Sequence, residues 1–152
     1  MRKRVLDQSP RAGETWLDVE KVAQVEISSE DPEYPIDFAL TSHDAGWRAA
    51  GRGEQTIRLL FDEPHGLRLI ELKFEEHGTA RTQEFLLRWS PDGGRSYRDI
   101  VRQQFTFSPP GTTSEMERYT VNLSGVTALE LTIVPDIDHG PANASLQSLR
   151  LA

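Results

Sequence analysis

Leu67-Arg68-Leu69-Ile70-Glu71-Leu72-Lys73-Phe74-Glu75 sets Ile70, Leu72 and Phe74 on one side of an extended chain and Glu71 and Lys73 on the other. Side chains alternate between the two faces of a strand, so this stretch predicts a strand with one buried and one wet face. The same period of two recurs in both directions. Val22–Ile27 alternates apolar and polar residues, Thr56–Asp62 aligns Ile57, Leu59 and Phe61, and Glu84–Ser90 aligns Phe85, Leu87 and Trp89. Arg98–Phe107 offers Ile100, Phe105 and Phe107 to a core. Tyr119–Leu123, Leu129–Val134 and Ser145–Leu151 complete the set, the last through Leu149 and Leu151. Eight such segments with almost no helical periodicity predict an all-β fold, an eight-stranded antiparallel jelly-roll sandwich. No internal repeat is visible, which argues against a propeller or solenoid.

The chain of 152 residues suits one domain. Hydrophobic residues at 37% and charged residues at 27% are those of a globular protein. Without cysteine there are no disulfides and no thiolate metal sites. A net charge of −7 argues against a duplex-binding protein, whose affinity rests on a basic face. Met1-Arg2-Lys3-Arg4 is followed by Asp7, Gln8, Arg11 and Glu14 rather than an apolar h-region, and no run is long enough to span a bilayer. The expected location is therefore the cytoplasm, with no membrane partner. Residues 1–14 read as a polar, flexible tail and 15–152 as a single binding domain, opened by a short helical turn that Thr15 caps.

The connections carry the functional expectation. Residues 28–55, 76–83, 108–118 and 135–144, after the first, third, fifth and seventh strands, are long or polar. Residues 63–66, 91–97 and 124–128 are short. Antiparallel strands send alternate connections to opposite ends, so the elaborated loops gather at one pole, where a rigid sandwich presents binding groups.

Ser90-Pro91-Asp92-Gly93-Gly94-Arg95-Ser96-Tyr97 fits the spacing S-x-D-x-G-x-[ST]-[WY], and reads as a hairpin that Asp92 and the glycines build. No G-x-S-x-G, H-E-x-x-H, P-loop or cysteine nucleophile is present, so the chain reads as non-enzymatic. His43, His77 and His139 lie in the elaborated connections with Asp44, Asp136 and Asp138. They lack the i, i+4 or H-x-H spacing of a zinc site, and neither metal nor cofactor is expected. Arg102-Gln103-Gln104 interrupts an apolar run and marks a strand face that is either simply solvated or open to a partner protein.

Pro35-Ile36-Asp37-Phe38-Ala39-Leu40-Thr41-Ser42-His43-Asp44-Ala45-Gly46-Trp47 resembles the first loop of the galactose-binding-like superfamily, which includes discoidin (coagulation factor 5/8 type C) domains and family-32 carbohydrate-binding modules. In those a short helical turn leads to a core tryptophan. Gln55-Thr56-Ile57-Arg58-Leu59, Ser90-Pro91-Asp92-Gly93 and Ala144-Ser145-Leu146-Gln147-Ser148-Leu149 resemble three further motifs of the superfamily. The resemblance implies a glycan or small sugar as ligand. His43 and Arg81 occupy positions that contact galactose in family-32 modules, and Asp44, His77, His139 and Asn143 complete the expected polar set. Tyr34 is the candidate stacking aromatic, while Trp47 reads as core. Many relatives hold calcium in the first loop. Here Thr41, Ala45 or Gly46, and Gln147 replace its ligands, and no tight calcium site is expected. Trp47-Arg48-Ala49-Ala50 and Gly53-Glu54-Gln55-Thr56-Ile57 are similar to the N-terminal domain of the X-ray-repair cross-complementing scaffold family. That likeness implies the alternative, an intracellular protein-interaction scaffold, although shared packing around the tryptophan also explains it.

Overall fold

The computed structural model describes residues 16–41 and 43–152. The expected tail, 1–14, and the expected cap, Thr15, lie outside them. The opening turn is α1 (Val19–Val22), with Asp18 at its N-cap making no side-chain cap bond. Burial of Val19 and a bond of 2.7 Å from the Leu17 N–H to the Leu151 carbonyl dock this segment on the last strand.

The described residues form a further helix, α2 (Ile36–Leu40), and eight strands. These are β1 (Ala23–Ile27), β2 (Trp47–Arg52), β3 (Gln55–Glu75), β4 (Arg81–Ser90), β5 (Arg98–Phe107), β6 (Ser114–Val134), β7 (Asn143–Leu146) and β8 (Ser148–Leu151). All their pairings are antiparallel, as the sequence predicts. The main differences lie in four places. Residues 56–62 and 67–75 are one strand, β3, and 119–123 and 129–134 belong to one strand, β6. The expected connections 63–66 and 124–128 are therefore bends within strands. Trp47–Arg52 is a strand where a loop was expected, and the last expected strand divides into β7 and β8.

The paired β3 and β6 form a ribbon from Gln55↔Ile133 to Glu75↔Ser114. Its register shifts between Leu60 and His65, between His65 and Leu67, and between Leu67 and Leu69. Such irregularities bend a ribbon and let a strand pass from one sheet to the other. They also change which residues point inward. Ile57, Leu59 and Phe61 enter the core before the bend and Ile70, Leu72 and Phe74 after it. One layer is ordered β1-β3-β6-β4-β5, and β8 joins the far half of β3 opposite Ile70–Lys73. Residues from both ends of the folded ribbon meet: Arg52, just before β3, and Glu75, at its far end, line one groove with residues 141–147, although the bends are not loops.

Trp47 is fully buried and its Nε1–H donates to the Ser29 carbonyl at 3.1 Å, which leaves no polar atom of the indole unpaired. On the outer face of the larger layer, Glu26, Arg58, Glu130 and Arg88 form a row across four strands, with Arg58 bonded to both glutamates. Burial works to raise the Glu130 carboxyl, but Arg88 and Arg58 outweigh it and hold it below its ordinary value. In the 91–97 hairpin Asp92 accepts from Ser90 Oγ at 2.7 Å, Ser96 Oγ at 2.6 Å and Ser96 N–H at 2.9 Å. Those bonds pull its carboxyl down to about 2. The group is spent on building the turn.

Candidate functional site

An open groove of about 940 Å³ lies over β2 and β7. These strands pair Trp47↔Leu146, Arg48↔Ser145 and Arg52↔Asn143. Trp47, Ala49, Ala144 and Leu146 turn into the core, so Arg48, Arg52, Asn143 and Ser145 fall on the opposite side by strand alternation. The groove is completed by Tyr34 and Asp44 from the segment after β1, and by Glu75 to Thr79 from the end of β3 and the turn beyond it.

Asp44, His77 and Asn143, which come from three separate segments, meet in this groove. All are exposed. His139 lies in an adjoining cleft of about 660 Å³ that shares Arg52 and Pro141 with the groove. It adopts a left-handed backbone, φ 59°, in a turn closed by a 3.0 Å bond from its N–H to the Asp136 carbonyl.

The other two expected residues do not line the groove. His43 is exposed and stacks on Phe38, ring centroids 3.9 Å apart, while its Nδ1 accepts the Ala45 N–H at 3.1 Å. Arg81 is 4% exposed. It donates to Glu76 Oε1 at 2.7 Å, the Pro135 carbonyl at 2.7 Å and Gln83 Oε1 at 3.3 Å, and stacks on Phe107. Its donors are taken up in holding the 76–79 turn and the segment after β6 in place. Glu76 shows the same bond from the other side. Burial works to raise its carboxyl, but Arg81 and the Gly78 and Thr79 amides hold it below the usual value.

The 41–48 segment is anchored where it meets the last strands. Gln147 Nε2 donates to the Asp44 carbonyl. Gly46, at φ +66°, lies so close that an added Cβ would stand 2.8 Å from the Leu146 carbonyl oxygen. A calcium ion needs several oxygen ligands, some of them charged. Here Gln147 turns an amide donor, not a carboxylate, toward the 41–48 segment, and the residues present do not fit the ion. Among the described residues no three histidine, aspartate or glutamate side chains gather as a metal site requires.

Arg48 and Arg52 are the groove residues that sequence reasoning missed. Their signal is the alternation of exposure along 47–52, visible only once that segment is recognised as a strand. Arg48 sits over the Tyr34 ring, 4.1 Å from its centroid. No helix among the described residues is long and apolar enough to cross a membrane.

The sequence matches no family model and no curated protein. The fold is shared with solved structures. A family-32 carbohydrate-binding module of NanJ from Clostridium perfringens, solved with galactose, superposes with a TM-score of 0.64 at 10% identity, over 90% of this chain and 96% of that one. The family-32 module of AlyQ, solved with 4,5-unsaturated mannuronic acid, gives 0.64 at 16% identity, over 91% and 98%. Reduced XRCC1 bound to the DNA polymerase β catalytic domain gives 0.56 at 13% identity, over 86% and 96%. The chain thus has the galactose-binding-like sandwich fold.

Proposed function

We propose that this protein is a non-catalytic carbohydrate-binding module whose glycan lies in the groove over β2 and β7. The observation that carries the reading is the meeting of Asp44, His77 and Asn143 from three segments along one open groove. Saccharides are recognised through a few convergent polar groups that pair with hydroxyls in donor–acceptor fashion. Asp44 accepts, Asn143 both donates and accepts, and His77 supplies ring nitrogens. The shared fold of modules solved with galactose and with an unsaturated mannuronic acid supports it. The test is a glycan array probed with the full chain, followed by calorimetry on the hits. An array blank at millimolar concentrations, with folded protein, would sink the reading.

A protein-interaction role is the second reading. It is favoured by the fold shared with XRCC1, solved bound to a polymerase domain, and by β5, which among the described residues pairs only with β4. Its free edge can accept an extended segment of a partner. Crosslinking through residues placed along β5 tests it, and crosslinks confined to other surfaces count against it.

A further inference from the structure

The groove holds cations that the protein does not neutralise. Arg48 and Arg52 are exposed, lie on the same side of β2, and form no ion pair or side-chain hydrogen bond among the described residues. The groove also contains four carboxylates, of which Asp44 is exposed without an ion pair among the described residues and the other three are engaged. Glu76 is bound by Arg81 at 2.7 Å, Glu75 lies 3.4 Å from both Lys73 and His77, and Asp31 Oδ1 accepts the Glu33 N–H at 3.0 Å.

Arg48 is also held in position. Its guanidinium rests on the Tyr34 ring, 4.1 Å from the centroid, a stacking that fixes the plane while leaving the N–H edge without a protein acceptor. A planar fork of donors held this way matches a carboxylate, which it can bind through two parallel bonds. Ordering the side chain beforehand lowers the entropy lost on binding. Arg52 offers a second cation on the same side: it pairs with Asn143 where Arg48 pairs with Ser145, and because β2 bulges between them the two stand roughly 7 Å apart along the ladder.

We infer that the groove selects an acidic saccharide, a chain of uronic acid units whose carboxylate seats on Arg48 and whose next anionic group reaches Arg52. This rests on the carbohydrate-binding reading and names the class of sugar. Tyr34 serves as a positioning residue for Arg48.

The experiment titrates the full chain with matched trisaccharides that differ in the carboxylate: mannuronate against mannose, galacturonate against galactose, glucuronate against glucose. In at least one pair the acidic member binds about tenfold tighter or more, as charge-assisted paired bonds predict. That preference weakens with added salt. It falls towards one in Arg48→Ala and is only partly kept in Arg48→Lys, which retains the charge but not the fork. Tyr34→Leu reduces the preference while Arg48 remains. Both arginines are exposed, so a thermal melt confirms that each variant folds. Neutral members binding as tightly as acidic ones in every pair, or a preference that survives Arg48→Ala, overturns the inference and leaves the carbohydrate reading standing. Binding of neither member of any pair, with a blank array, overturns both.

Discussion

Arg81 and Glu76 form an ion pair of 2.7 Å in which the arginine side chain is 1% exposed and the glutamate 21%. Removing one partner of a buried pair leaves the other unpaired, at a cost of about 3–5 kcal/mol. Water reaches Glu76, so Arg81→Ala is expected to lose about 3 kcal/mol, at the low end of that range. Urea unfolding measures it. Because the Glu76 carboxyl is held below its unfolded value, the pair's contribution is present above the ordinary carboxylate range and is lost as pH falls through the lowered value. Arg81→Ala should flatten that acid limb.

Glu115 shows the opposite behaviour. It lies opposite Phe74 on β6, is 4% exposed, and neither carboxyl oxygen has a hydrogen-bond partner of good geometry. Burial pushes its carboxyl up to about 8, and the neighbouring Glu117 adds to the rise. Between its unfolded value and about 8 the folded state holds the extra proton, so stability falls as pH rises through that window. Glu115→Gln keeps the shape without the ionisation. It should be more stable than the parent at alkaline pH by on the order of 2–4 kcal/mol, and little different at acidic pH. Unfolding curves on either side of the window decide; equal alkaline stabilities would contradict the expectation.

Gly46 is constrained twice. A Cβ there would meet the Leu146 carbonyl oxygen at 2.8 Å and Gln147 Cα at 2.9 Å, and φ is +66°. Both clashes are with backbone, which cannot rotate away. Gly46→Ala should cost about 2–4 kcal/mol from left-handed strain plus overpacking. Gly53, at φ +86° with nothing within 4 Å of its added Cβ, is the control. Gly53→Ala should cost only the conformational share, about 1–2 kcal/mol.

Asp44 and Asn143 are exposed in the groove, so their loss should be felt in binding rather than in stability. Asp44→Ala and Asn143→Ala should each weaken the best array hit by about tenfold, the loss of roughly one hydrogen bond. Their melting temperatures should match the parent. His43→Ala and Arg81→Ala separate the cases further. The former should leave affinity nearly unchanged. Any loss of affinity in the latter should track its loss of stability.

The inward residues were legible because period two survives any error in strand boundaries. Ile57, Leu59, Phe61, Phe85, Leu87, Leu149 and Leu151 are buried as the alternation requires. The bends were misread because Glu63-Pro64-His65-Gly66 and Ser124-Gly125 carry turn chemistry, and local sequence does not separate a tight turn from a bulged strand held on both sides. The strand β2 was missed because Ala49-Ala50-Gly51 has little strand propensity; its partner β7 and the packing of Trp47 supply what the residues do not. Arg81 read as a ligand because it falls where family-32 modules place a galactose-contacting arginine, and a position in the sequence does not reveal that the side chain is buried. The carbonyl that accepts its hydrogen bond belongs to Pro135, far along the chain, and nothing near Arg81 announces it.

The doubled-over ribbon of β3 and β6 has a mechanical corollary. Since each strand is continuous through the fold line, neither layer can peel away without unzipping rungs that also hold the other. Hydrogen exchange should therefore release the backbone amides of both layers together, as one foldon, while the segments at the pole exchange earlier and separately. Length changes there need not loosen the body beneath, which gives the chain latitude to alter what it grips while keeping its frame.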